Sequence, residues 1–408
     1  MLPAVRESLL AVGAAGRWAA IAAVIGLLAG LASAVFLLAL EWATTVREEH
    51  LWLIALLPVA GFFIGLLYTH FGARVEGGNN LILDEIHDPQ ARLPLRMAPM
   101  ILVSTVVTHL FGGSAGREGT AVQMGASLAD QVVRVLGLDR PARRIALMAG
   151  ISGGFGAVFG TPLAGMVFGL EVLVIRALRF EALLPCLVAS VVGDQVVGLL
   201  GVHHTHYTVA SLPPLGWSVL LAAAVVGVAS GLMARIFTTT THAIAAQAKV
   251  WFPWSPWRLA VGGAAVALAV LALGTTRHIG LGIPLIQEAF ANPLPWSDTA
   301  IKLVLTAVTL GFGFKGGEVT PLFVIGATLG SALAVILPVP VDVLAALGFV
   351  AVFAGAANTP LACTMMACEL FGSGLGVLAA VACVLSYLMS GPTGIYRAQR
   401  IDQSKSGI

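Results

Sequence analysis

Two glutamates stand where glycine-rich turns open apolar helices. Gly112-Gly113-Ser114-Ala115-Gly116-Arg117-Glu118-Gly119-Thr120 runs into an apolar stretch, and Gly311 to Thr320 repeats the layout with Glu318, Val319 and Thr320, followed by Pro321. Proline suits a first helical turn, where its missing N–H would lack a partner anyway. The exposed amides of such a turn, with the positive end of the helix dipole, attract an anion. An ionised carboxylate occupies the place of that anion, and a protonated one loses the attraction and can leave. One group can therefore gate an anion path and carry a proton. The plainer reading makes Glu118 and Glu318 helix caps. A phosphate-binding loop is a false match, because no Lys precedes a Ser or Thr at the required spacing.

Other residues deserve the same question. Gly77-Gly78-Asn79-Asn80-Leu81 opens a short apolar segment, which Asn79 and Asn80 would either cap or make polar. Tyr396 closes Gly391-Pro392-Thr393-Gly394-Ile395-Tyr396, the start of an expected final short helix. A tyrosine there is ordinarily an interfacial anchor, and its hydroxyl is a candidate anion contact. Gly150-Ile151-Ser152-Gly153-Gly154 fits the nucleophile motif of an intramembrane serine protease. That chemistry needs a histidine on a later membrane helix. His203, His204 and His206 fall in a loop, His242 near a segment end and His278 in a glycine-rich stretch, so close helix packing explains the small residues better. The His203–His206 cluster reads as a solvated external loop rather than a metal site. Cys186, Cys363, Cys368 and Cys383 lack metal-ligand spacing and read as small apolar thiols.

The elements that hold these residues follow from composition. The 408-residue chain is 58% hydrophobic and 10% charged, with 47 glycines, 20 prolines and a net charge of +2. A soluble domain carries about 25% charged residues. A soluble enzyme, a disordered chain and a basic nucleic-acid binder are excluded. An all-α polytopic membrane protein remains, with room for ten or more segments at roughly 20 residues per span. Segments 145–175 and 343–371 are long enough for two helices in series, and others are too short for a clean span, as broken and re-entrant helices would be. Arg134, Arg140, Arg143 and Arg144 cluster in one loop, Arg176 and Arg179 in a second, and Lys249 and Arg258 flank a third. Loops 201–214 and 292–298 carry no Lys or Arg. The basic loops and both termini are therefore placed in the cytoplasm. Trp251, Trp254 and Trp257 would form an interfacial belt. Residues 1–17 lack a signal-cleavage pattern and read as a cytoplasmic lead-in helix.

The chain also repeats. Gly116 to Thr120 matches Gly316 to Thr320 at an offset of 200, and Gly125-Ala126-Ser127-Leu128 matches Gly326-Ala327-Thr328-Leu329. Thr161-Pro162-Leu163-Ala164 recurs as Thr359-Pro360-Leu361-Ala362, and Glu171 as Glu369, at an offset of 198. With Leu81-Ile82 before Asp84 recurring as Leu285-Ile286 before Glu288, four blocks in one order mark two homologous membrane repeats, 18–202 and 215–391, with a C-terminal helix and tail over 392–408. Opposite starting sides make the repeats inverted, which puts a substrate site near the bilayer midplane.

These residues together resemble the CLC family of chloride channels and anion/proton antiporters. Gly116 to Thr120 is similar to its G-[KR]-E-G-P motif, whose glutamate is the external gate. Gly317 to Pro321 stands where the family has G-x-F-x-P, Gly77 to Leu81 where it has G-S-G-I-P, and Tyr396 at its anion-coordinating tyrosine. Thr161 to Ala164 resembles its N-A-P-L-A-G element. The resemblance implies inverted repeats, a homodimer in the bilayer of the cell inner (plasma) membrane, one anion pathway per subunit and no cofactor. Asn79 for the pore serine, Thr120 for the motif proline, and Glu318 with Thr320 are similar to the fluoride-exporting branch, which exchanges fluoride for protons. The resemblance thus makes Glu118 and Glu318 the gating and proton-transfer residues. It places the anion among Asn79, Asn80, Gly116, Arg117, Gly119, Thr120, Val319, Thr320 and Tyr396. Val172 stands where family antiporters keep an internal proton glutamate, so the inner proton route would differ. A chloride channel or chloride/proton exchanger of the same fold is the alternative.

Overall fold

The computed structural model describes residues 2–175, 178–210 and 212–401, with side-chain placement from residue 12. Arg176 of the second basic loop and the tail 402–408 lie outside the described residues, as do the side chains of the first eleven residues. The first half holds α1 (Leu2–Glu49), α2 (Leu57–Phe71), α3 (Asn79–His87), α4 (Met97–Leu110), α5 (Glu118–Leu136), α6 (Arg140–Phe159), α7 (Pro162–Glu171) and α8 (Leu183–Leu199). The second half holds α9 (Trp217–Trp251), α10 (Ser255–Leu273), α11 (Ile283–Ala291), α12 (Trp296–Gly311), α13 (Val319–Leu333), α14 (Val341–Ala357), α15 (Pro360–Phe371) and α16 (Gly376–Met389). Each half runs from a long opening helix through a nine-residue third helix to a close-packed run of four.

Among the described residues, five helical segments are long and apolar enough to cross a membrane: Val12–Glu49, Leu51–Phe71, Phe180–Leu199, Trp217–Trp251 and Ser255–Leu273. α5 and α6 are as long, at 19 and 20 residues, but more polar, and the remaining helices stop short. The ten residues of α7 make a helix of about 15 Å, against a hydrocarbon core of about 30 Å. The apolar run 145–175 does divide into two helices, because Gly160 turns left-handed (φ 71°) and Pro162 starts α7. Asn358 (φ 58°) and Pro360 break the equivalent run between α14 and α15.

The halves are interlocked about a local two-fold. The Glu171 carboxylate, at the end of α7, accepts the amides of Leu361 (3.0 Å) and Ala362 (2.8 Å) at the start of α15. Glu369 on α15 accepts the amides of Leu163 and Ala164 at the start of α7, both at 2.8 Å. Each carboxylate thereby satisfies first-turn amides of the other half, with favourable dipole sign. Phe155 and Phe353, equivalent residues of α6 and α14, face one another with centroids 6.3 Å apart.

Four elements depart from the sequence-based expectations. The lead-in over 1–17 is no separate helix, since α1 runs unbroken to Glu49. The apolar run 215–237 predicts a helix ending near 237, whereas α9 continues to Trp251, there being no Gly or Pro from Leu232 until Pro253. No helix follows α16 within 391–401. Gly391 (φ 84°) and Pro392 break the chain, and Gln399 Nε2 donates to the carbonyls of Val172 (2.9 Å) and Ala357 (2.7 Å). That extended segment ends in Arg400–Ile401, paired in parallel with Val174–Ile175. Arg143, expected as a loop charge, is buried on α6. Its guanidinium donates to Asp130 (2.6 Å), Glu85 (3.0 Å) and the Ala91 carbonyl (2.8 Å), tying α3, α5 and α6 together.

Candidate functional site

The two glycine-rich turns meet at the centre of the molecule. Gly116 N–H donates to the Gly317 carbonyl (2.6 Å) and Gly317 N–H to the Gly116 carbonyl (2.7 Å), a single antiparallel bridge between repeat-equivalent turns. The backbones touch so closely that a Cβ on Gly317 would lie 2.7 Å from the Gly119 nitrogen. The second half braces the first turn. Ser114 Oγ pairs with Thr306 Oγ1 (2.9 Å), and Gly280 N–H donates to the Gly113 carbonyl (3.0 Å). Buried Lys302 donates to the carbonyls of His278 (3.1 Å) and Gly280 (2.9 Å), fixing the loop that makes this contact.

Glu118 begins α5 and is completely buried. Its carboxylate reaches across the bridge to the other half. Oε2 accepts Thr320 N–H (3.0 Å) and Arg117 N–H (3.2 Å), while Oε1 accepts the Thr320 hydroxyl (2.5 Å). Arg117 Nε lies 3.6 Å from Oε1. Glu118 thus sits at the start of α13 rather than capping α5, in a place where a small anion would meet the same donors. The first-turn amides of Gly119, Thr120 and Val319 have no intrahelical acceptor. The Thr120 hydroxyl does not mirror Thr320, because it pairs with Thr105 Oγ1 (2.8 Å) on α4.

Glu318 and Asn79 converge on the opposite face of this turn. A Cβ on Gly119 would lie 3.0 Å from Asn79 Nδ2 and 3.6 Å from Glu318 Oε2, so the missing side chain lets both approach. Asn79 Oδ1 and Glu318 Oε2 are buried with no hydrogen-bond partner among the described residues. Both line a polar cavity of ≈ 140 Å³ with Gln123, Lys315 and Tyr396. Tyr396 is buried and shares with Asn79 a second pocket of ≈ 10 Å³ that Val172 and Phe168 make apolar. Asn80 serves differently from its neighbour: its Oδ1 accepts Ala398 N–H (3.0 Å), anchoring the segment that carries Tyr396.

On the other side of Glu118 a pocket of ≈ 20 Å³ is lined by Arg117, His204, Tyr207 and Thr320. Arg117 and Thr205 also line a vestibule of ≈ 530 Å³ with His203 and Arg277. Glu118 lines the first of these pockets, while Glu318 and Asn79, beside Gly119, line the ≈ 140 Å³ cavity. Sequence reasoning missed Gln123, Lys315 and His204. The first two carried a signal, a carboxamide within an apolar helix and a lone cation in a glycine turn. Ser152 is completely buried where α6 meets α7, and a Cβ on Gly169 would overlap its hydroxyl, which is close helix packing.

Residues 60–391 match the profile of the voltage gated chloride channel family. A chloride/fluoride channel protein of Pseudomonas syringae pv. tomato is 57% identical over 397 residues, covering 95% of this chain and 87% of its own. The protein belongs to the CLC family. A crystal structure of a CLC-type fluoride/proton antiporter superposes on this CLC chain with a TM-score of 0.92 at 35% identity, covering 95% of this chain and 98% of the other. A slow cyanobacterial Cl−/H+ antiporter has a TM-score of 0.80 at 19% identity, covering 93% and 96%, and shares the fold. The CLC chain is accordingly a multi-pass membrane protein of inverted repeats with broken helices.

Proposed function

We propose that this CLC protein exports fluoride in exchange for protons, with Glu118 as gate and proton carrier. The observation that carries the reading is the buried carboxylate held by the Thr320 amide and hydroxyl of the opposite half, at a pocket that it lines with Arg117. Ionised, Glu118 blocks the path by taking the donors an anion needs. Protonated, it releases them, and anion passage becomes linked to proton uptake. Fluoride suits the donor chemistry. It is small, strongly hydrated and a strong acceptor, so several close donors must replace its water. The Asn79 amide, the hydroxyls of Thr320 and Tyr396, and protonated Glu118 and Glu318 supply them. The fluoride/proton antiporter fold at 35% identity supports this anion, and the relative at 57% identity carries both chloride and fluoride in its name. Val172 leaves the inner proton route to groups such as Glu318. The reading includes a homodimer with one pathway per subunit in the inner (plasma) membrane, both termini cytoplasmic. It is a transporter reading, and the packed position of Ser152 supports it over a protease.

A fluoride-electrode efflux assay on proteoliposomes, with an imposed proton gradient and chloride as competitor, tests it. Fluoride efflux should rise with the inward proton gradient, with chloride slower by roughly tenfold or more, a difference of about 1.4 kcal/mol in barrier. Chloride moving as fast as fluoride overturns the selectivity, and flux indifferent to the gradient overturns the exchange.

A further inference from the structure

The small pocket outside Glu118 sets Arg117, which the family resemblance places at the anion, beside His204, which the pathway described so far does not use. Arg117 Nε is buried without a hydrogen-bond partner among the described residues, and so are both ring nitrogens of His204. His203 and His206, its neighbours, are exposed, so His204 alone of the cluster turns inward. It can do so because Gly160, where α6 ends in left-handed geometry, offers a bare surface. A Cβ there would lie 2.5 Å from His204 Cδ2. The groups facing the ring are Arg117, Glu118 and Tyr207, with His203 and His206 beyond. Burial, then the neighbouring Arg117, pushes the imidazole down to about 4. His204 is thus neutral at pH 7, with one N–H to donate.

The geometry points to an outer halide site in which Arg117 and His204 hold one dehydrated fluoride between the gate and the vestibule. It rests on the fluoride-export reading and adds the step after the gate. A volume of ≈ 20 Å³ exceeds the 10–15 Å³ or so that one water needs, and fluoride is of similar size. Isolated buried donors are unfavourable until an acceptor arrives. The ionised Glu118 carboxylate, 3.6 Å from Arg117 Nε, competes for the same guanidinium. Protonation of Glu118 therefore frees Arg117 for the departing anion, so the outer site fills when the gate opens.

The test is fluoride-electrode efflux from proteoliposomes at increasing external sodium fluoride, for wild type, H204F and H204Q. A ligand held at the exit is loaded from outside and slows net efflux. H204F keeps a flat ring over Gly160 and removes both nitrogens. The half-inhibiting external fluoride should rise about tenfold, as loss of one hydrogen bond to a charged partner implies. H204Q, which keeps an N–H donor, should lie nearer wild type, and H204A replaces H204F if the phenylalanine variant does not elute as the native species. Unchanged external inhibition in a transporting H204F or H204A overturns the site, as does an H204Q shift equal to that of H204F. Loss of the proton-to-fluoride ratio with unchanged inhibition makes His204 a proton carrier and also overturns it. A wild type that moves no fluoride overturns the export reading and this site with it.

Discussion

Replacing Glu171 by alanine should destabilise the protein without altering how it couples ions. The Glu171 carboxylate is buried and accepts two amides of α15, at 3.0 and 2.8 Å. A hydrogen bond to a charged group contributes about 1.5–3 kcal/mol, so losing both removes about 3–5 kcal/mol once some solvation of the freed amides is allowed. At about 2 °C per kcal/mol for a large chain, the thermal transition should fall by roughly 6–10 °C. Glu369 makes the mirror-image pair of bonds but is partly exposed, so E369A should lose less. The assay is size-exclusion chromatography after heating in detergent, paired with fluoride and proton flux normalised to folded protein. The ratio of protons to fluoride should match wild type. An unchanged transition together with lost proton coupling would refute the reasoning, because Glu171 would then be a proton carrier.

E118Q keeps the shape of the gate but removes its titration, so transport should slow and lose its dependence on the proton gradient; full coupling in that variant, read from paired fluoride and pH electrodes, rejects the gate. G317A places a Cβ 2.7 Å from the Gly119 nitrogen and should part the central bridge. The expected loss is about 1–3 kcal/mol, measured as a lowered thermal transition, and an unmoved transition would show that the two turns can separate without strain.

The frame of the site was legible because repeats leave a fixed offset. Glu118 and Glu318, or Glu171 and Glu369, stand out in one sequence without any contact being known. What each carboxylate touches was not legible, since Glu171 finds its partners 190 and 191 residues away. Neighbours on one helix also diverge. Asn79 and Asn80 project about 100° apart, and packing alone decides that the first faces the cavity and the second holds Ala398. The inward turn of His204 depends on the absence of a side chain at Gly160, which no local pattern announces. Charge counting placed Arg143 among solvated residues, whereas Asp130 and Glu85 hold it inside. The expected last helix failed because Gln399 offers the extended chain partners that a helix would forgo.

A protein built from perfectly equivalent inverted halves would show the same face to both sides of a membrane and could not tell one from the other. Polarity has to arise where equivalence fails. Here it fails at two threonines: Thr320 binds the glutamate of the other half, while Thr120 turns away to Thr105. One hydroxyl rotated toward a neighbouring helix leaves a single carboxylate on the axis instead of two in competition. The two ends of the central turn therefore differ in chemistry although the backbone around them is repeated.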